Sequence, residues 1–486
     1  MKKNQIITFI TIFLIAILST IFFLKPHYSI DTVEFLNNGY DSYVQSKFLV
    51  DGRIFSVLLL KLVIDMPMKY VIPVTYIIGI LISCVSVMYL RKWIIKYGKT
   101  EEKSNIFPTI ISYIIIFNFM YIDTFQFLEF PIIAVSVLLF IIAAKIIVEK
   151  EKNYILKGFG LALIAMFCYQ GTINLFIATA FVLSIIKNSK LNKNVITDML
   201  KVGVILLMAI GINYVFTKIV GGTSRLDLDI IKSCKNALIN LYIVIFNSSN
   251  HYPSYLQLIF VLIIIIYCLV KKIKILNLLW IYCISIVVNI ILLIATGDGI
   301  MGSTSQYGRV LFTIGALIGY TFMYLWCTND IVRKDKFIKV IVIIYLATIL
   351  ITYFQYTYFY MQGQYIDEYI ITNIDKVISK YEEETGNMID KFTYRIDFDN
   401  FEILETKNII DKKYNKINYA TIQNGRRSKE YIGNVLFLLY ADRKIEKIST
   451  AEDLKAKYFE EIDFSEMELF DERRFVFIGD TVYIML

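Results

Sequence analysis

Hydrophobic residues along this chain fall mostly into long blocks, not alternating stripes. A block opens directly after Met1–Gln5 and continues through Leu24. Others cover about residues 70–90, 106–122, 131–145, 154–169, 172–187, 194–218, 254–270, 276–296, 309–332 and 338–358. At about 1.5 Å per residue these blocks run from about 22 to about 38 Å, around the roughly 30 Å of a hydrocarbon core. One block, residues 54–66, is interrupted by Lys61 and closed by Asp65 and Pro67. It is too short to cross and reads as a re-entrant or interfacial helix. Past residue 360 the blocks end and finer periods appear. A helical stripe covers residues 365–384, a strand 392–398, short helices 431–440 and 451–459, and a hairpin pairs 475–478 with 481–484 around Gly479-Asp480. The pattern predicts a polytopic α-helical membrane protein of about eleven transmembrane helices, with a small C-terminal α/β domain. The expected division is 1–360 for the membrane part and 361–486 for the domain. No tandem repeat is visible.

Charge orients this pattern. Lys and Arg gather at one set of block ends: Lys2 and Lys3, Arg91 to Lys103, Lys145 to Lys152, Lys187 to Lys193, Lys271 to Lys274, and Arg333 to Lys336. The positive-inside bias puts those ends and the N-terminus in the cytoplasm. An odd number of spans then puts the C-terminal domain outside. The first block is too long for a signal peptide and no small-residue cleavage site follows it. A long outer segment, 221–253, reads as carrying an amphipathic helix on the membrane. Composition agrees: 57% of residues are hydrophobic, 19% are charged and the mean hydropathy is +0.59. The net charge of +8 follows from the cytoplasmic clusters, so no nucleic acid is implied. None of the six cysteines is spaced as a metal site or disulfide framework. The excess of Ile, Lys, Asn and Tyr points to an AT-rich, bacterial genome, and so to a bacterial cytoplasmic membrane.

Candidate chemistry concentrates in the first outer segment, Lys25 to Arg53. It gathers Asp31, Glu34, Asp41, Asp51 and Arg53 beside Tyr28, Tyr40 and Tyr43. Lipid supplies no reason for such a cluster, whereas ionisable groups near a membrane commonly serve function. The plainer reading makes Ser29 or Asp31 an N-cap, with Glu34 closing a capping box. His27 is an alternative base. Tyr169-Gln170 ends the fifth block, and Asp123 and Glu129 bracket a short outer turn next to the presumed cavity. The glycines of residues 297–308 do not form a nucleotide-phosphate loop, and no dinucleotide fingerprint appears. A soluble nucleotide-sugar donor is therefore not indicated.

A first outer loop that carries carboxylates and closes on Gly-Arg, here Asp31, Glu34 and Gly52-Arg53, resembles the membrane-embedded GT-C glycosyltransferases. The closer likeness is to the glucosyltransferase family that includes the phage-encoded serotype-converting O-antigen enzymes. Tyr169-Gln170 and Arg309, which opens a late block, are similar to theirs. The pattern departs where that family commonly has two adjacent aspartates, because Ile30 precedes Asp31. Which carboxylate is the base is thereby left open. The resemblance implies a polyprenyl-phosphate-linked sugar as donor, with glucose favoured, and a surface glycan as acceptor. Direct, inverting displacement follows from it too. It assigns Asp31 as general base, Glu34 as its helper or a ligand of a divalent metal, Arg53 and Arg309 to the carrier phosphate, and Tyr169, Gln170, Asp123 and Glu129 to substrate. A lipid-linked sugar flippase and a nonenzymatic envelope-assembly protein are the alternatives. Neither internal repeats nor mid-helix charges favour the first, and the acidic loop disfavours the second.

Overall fold

The computed structural model describes residues 3–99, 106–220, 234–235, 237–239, 254–296, 311–395, 434–448, 457–460, 462, 464, 467–468 and 470–485. The chain divides into two compact units. One comprises Met1–Pro26 with Tyr40–Thr357, the other His27–Gly39 with Tyr358–Leu486.

The first unit is helical, as lipid requires: a spanning segment must satisfy its backbone hydrogen bonds internally. Each of the eleven blocks contains a helix among the described residues, though not always over its full length. Five helices are long and apolar enough to cross a membrane: Met68–Gly98, Phe130–Glu149, Gln170–Asn188, Lys193–Ile219 and Lys336–Thr385. Shorter apolar helices include Lys3–Ser19, Phe107–Ile116, Tyr154–Cys168 and Phe312–Thr328. The block at 54–66 forms the ten-residue helix Ile54–Val63. Nearly every residue from Ile173 to Ile186 is buried. Lys193–Ile219 instead turns Leu200, Val204, Leu207, Val215 and Ile219 outward. Such a row of exposed apolar side chains suits lipid and would be costly in water.

Close helix contact needs small residues here. A Cβ added at Gly319 would stand 2.6 Å from Ile115 Cγ1 and 3.0 Å from the Ile115 backbone nitrogen. Glycine thus lets Phe312–Thr328 close on Phe107–Ile116, the usual device where lipid gives no hydrophobic drive between helices.

The third block departs from its expected form. Its helix stops at Ile116, and the chain from Phe117 onward folds inward as a buried 3-10 turn, Tyr121–Thr124. Asn118 accounts for the stop. Its Nδ2 donates to the Ile115 carbonyl, its Oδ1 accepts from the Met120 N–H at 3.0 Å, and its carbonyl accepts from the Tyr353 hydroxyl at 2.7 Å. An asparagine that bonds its own neighbouring backbone competes with helix continuation.

The second unit contains the helix Ile30–Asn38, the C-terminal part of Lys336–Thr385, the helix Asn434–Ala441 and a four-stranded sheet. Its strands are β1 (Lys391–Arg395), β2 (Glu446–Lys447), β3 (Phe475–Ile478) and β4 (Thr481–Met485), in the order β2-β1-β4-β3. β1 lies parallel to β2 and β4, and β3–β4 is the expected hairpin. Phe392, Val482 and Ile484 are fully buried. Arg443 ties the chain after Asn434–Ala441 to the long helix through both Glu382 oxygens, Asp375 and Ser379.

The sequence separates a span at 338–358 from a helix at 365–384, but Lys336–Thr385 is continuous. Gly363 alone costs a helix about 1 kcal/mol, too little to break one packed along its length. The expected helix over 451–459 and the amphipathic helix within 221–253 lie largely outside the described residues.

Candidate functional site

Three groups of candidate residues have described surroundings, two in the first unit and one in the second. The first is built on the turn before Ile54–Val63. Gly52 takes a left-handed φ of +69°, and its N–H donates back to the Leu49 carbonyl. A Cβ there would fall 2.6 Å from Asn213 Nδ2 and 3.0 Å from Thr217 Oγ1. Only glycine meets both demands, an unusual φ and a close neighbour. The turn presents Asp51 and Arg53 side by side. Arg53 Nη2 lies 2.9 Å from Asp51 Oδ2, with 17% and 8% of those side chains exposed. Arg53 Cζ stands 4.7 Å from the centre of the Tyr169 ring, a cation–π contact.

Tyr169 is held by a helix break. Tyr154–Cys168 ends at Tyr169, whose backbone is extended, and the chain turns through Gln170–Thr172 into Ile173–Asn188. Ser136 stitches the break, donating to the carbonyls of Ala165 and Tyr169, both at 3.0 Å. Gln170 closes the cluster: its Nε2 donates to the Asp51 carbonyl and, at 3.5 Å, to Asn213 Oδ1. Asn213 Nδ2 in turn reaches the Gly52 carbonyl at 3.5 Å. Gly52-Arg53 and Tyr169-Gln170, more than a hundred residues apart in sequence, thus form one polar knot. Asn213 and Thr217 are members that sequence reading misses. Their signal is polarity inside the apolar block that forms Lys193–Ile219.

The second group sits on the helix Ile30–Asn38. Its N-cap is Ser29, whose Oγ accepts from the Thr32 N–H at 3.1 Å. Asp31 therefore lies in the first turn and is not the cap, so the capping-box reading of Asp31 with Glu34 does not hold. Thr32, Val33 and Phe35 are buried, while Asp31 and Glu34, three residues apart on one face, are half-buried. His27, the alternative base, is buried with its ring edge-on to Tyr360. Burial and then the charge of Glu368 push the Tyr28 hydroxyl up to about 12, so it holds its proton at neutral pH.

Asp123 and Glu129 do not form an exposed turn. Both are buried, and Gln126 Nε2 donates to Asp123 Oδ1 at 3.0 Å. Aromatic rings of Tyr121, Phe125 and Phe130 pack around this stretch. Arg309 lies outside the described residues. Among the described residues no three of His, Cys, Asp and Glu come together as a set that could hold a metal ion.

The fold and this knot define a helical protein with membrane-length apolar helices and a polar site carried at helix breaks. The chain belongs to the family described as Glucosyl transferase GtrII, whose model matches residues 20–326. The matched stretch takes in the acidic helix, the Arg53 turn, the Tyr169-Gln170 break and Asn213. No curated protein and no solved structure matches the chain.

Proposed function

We propose that this protein transfers a hexose, glucose by preference, from a polyprenyl-phosphate carrier to a cell-surface glycan on the outer face of a bacterial cytoplasmic membrane. The observation that carries the reading is the polar knot, which gathers Arg53, Tyr169 and Gln170 within a chain of the glucosyl transferase family. The reading places eleven spans in the membrane, the N-terminus in the cytoplasm and residues 361–486 outside.

A sugar on a lipid phosphate is already activated, because the leaving group is a phosphate. The acceptor hydroxyl must lose its proton as the new bond forms. Asp31 takes that proton as general base, and Glu34 assists by tuning the same helix face. Attack from the side opposite the leaving phosphate inverts the anomeric centre. As the glycosidic oxygen departs, negative charge grows on the carrier phosphate. Arg53 and Arg309 meet that charge, since a guanidinium fork matches phosphate oxygens better than an ammonium does. Asp51 and the Tyr169 ring hold Arg53 at its post before substrate arrives, so little reorganisation remains for the transition state. Tyr169, Gln170, Asp123 and Glu129 are assigned to sugar and acceptor.

The test is transfer by purified protein in vesicles. Radiolabelled polyprenyl-phosphate glucose and an isolated surface glycan are supplied on one side. Label appearing in the glycan supports the reading. Label that crosses the bilayer on the lipid and never reaches the glycan supports a flippase instead.

A further inference from the structure

The acidic helix belongs to the same compact unit as the chain from Tyr358 onward, although more than three hundred residues separate them. The link is specific. Gln364, buried on Lys336–Thr385, holds the backbone of Tyr28 from both sides. Its Oε1 accepts from the Tyr28 N–H at 3.0 Å, and its Nε2 donates to the Tyr28 carbonyl at 3.2 Å. The Tyr360 hydroxyl, one turn earlier, donates to the same carbonyl at 3.1 Å. From the helix Asn434–Ala441, the Tyr440 hydroxyl donates to Gln364 Oε1 at 2.9 Å, and its ring meets the Tyr28 ring edge-on at 5.8 Å. That helix also packs along Ile30–Asn38.

The clamp acts one residue before the N-cap. With Tyr28 fixed at both its N–H and its carbonyl, Ser29 follows and begins the helix. The rotation of that helix, and hence the direction of the face bearing Asp31 and Glu34, is inherited from the clamp. Gln364 makes a peptide-like pair of bonds to a backbone that has no strand partner there, a way of satisfying buried backbone groups that fixes position as well.

We propose that the C-terminal unit serves to hold the acidic helix, with Gln364 as the positioning residue for Asp31. This rests on the reading of Asp31 as general base, and the test separates the two. Gln364→Met keeps the length of the side chain and removes all its hydrogen bonds. The full-length variant in vesicles is compared with wild type by amide hydrogen exchange over residues 28–35 and by sugar transfer. Exchange there rises about tenfold, the scale of one or two lost net hydrogen bonds. Turnover per folded protein falls between about tenfold and a hundredfold, as for a displacement of about 1 Å, while the KM for the lipid donor stays within about twofold, as for an interaction that acts in the transition state; exchange in Phe130–Glu149 stays at the wild-type rate, which general loss of folded protein would not allow. Faster exchange with unchanged turnover overturns Gln364 as a positioning residue, and Asp31→Asn in the same assay decides separately whether Asp31 is the base. Unchanged exchange at 28–35 overturns the proposal. Should Gln364→Met fail to accumulate, Tyr440→Phe, which removes one bond to Gln364, carries the same test with a smaller expected rise.

Discussion

The Arg53 knot and the Asp31 helix use opposite strategies to place a charge. At Arg53 the charged group itself is gripped: Asp51 takes one guanidinium nitrogen, and the Tyr169 ring lies against its face. Gln170 and Asn213 grip the backbone of the turn that presents it. At Asp31 the grip lies further back. Ser29 caps the helix and Gln364 holds Tyr28, while the carboxylates themselves stay half-buried on the helix face. The contrast suits the proposed roles. A cation that stabilises charge on a phosphate gains from being pre-set by other groups. A base must meet an incoming hydroxyl, so it is better aimed by its backbone than enclosed by partners.

Substitutions can break this comparison in order of expected effect. Asp31→Asn keeps shape and removes basicity, and it lowers turnover by about 10²–10⁴-fold if Asp31 takes the proton. Arg53→Lys keeps the charge but loses the planar fork and most of the ring contact. It lowers turnover by about 10²-fold, and the same assay reads it. Gly52→Ala tests the turn without touching a charge. It forces a left-handed residue at a cost of about 1–2 kcal/mol and crowds Asn213, so the midpoint of thermal unfolding in detergent falls and Arg53 is displaced with it. Glu34→Gln is the mildest. As a helper on the same face, it changes turnover by no more than about tenfold, below the range of a direct proton acceptor. If Glu34→Gln proves worse than Asp31→Asn, the two carboxylates exchange roles.

Much of this was legible in the sequence because lipid imposes simple rules. Each long apolar block holds a helix among the described residues, although the third is helical only as far as Ile116. Gly52-Arg53 and Tyr169-Gln170 could be singled out one by one as polar residues at the ends of apolar runs. Their meeting could not, since it depends on Asn213 and Thr217 from a third segment and on a glycine that admits them. The inward fold after Ile116 was hidden for a different reason. Phe117 to Phe130 is apolar enough to read as span and turn, and only the bonds of Asn118 reveal the break. The β3–β4 hairpin was plain from Gly479-Asp480. The Gln364 clamp was invisible. A glutamine between a predicted span and a helical stripe looks like a surface residue until the chain from the other end of the molecule lies across it.

The most direct test of the account is sugar transfer from polyprenyl-phosphate glucose to a surface glycan by purified wild-type protein and Asp31→Asn, with lipid-donor binding measured on both. The account predicts that wild type transfers label, that the variant binds the donor equally well, and that its turnover falls by about 10²-fold or more. Transfer by Asp31→Asn at the wild-type rate would contradict the assignment of Asp31 as the base.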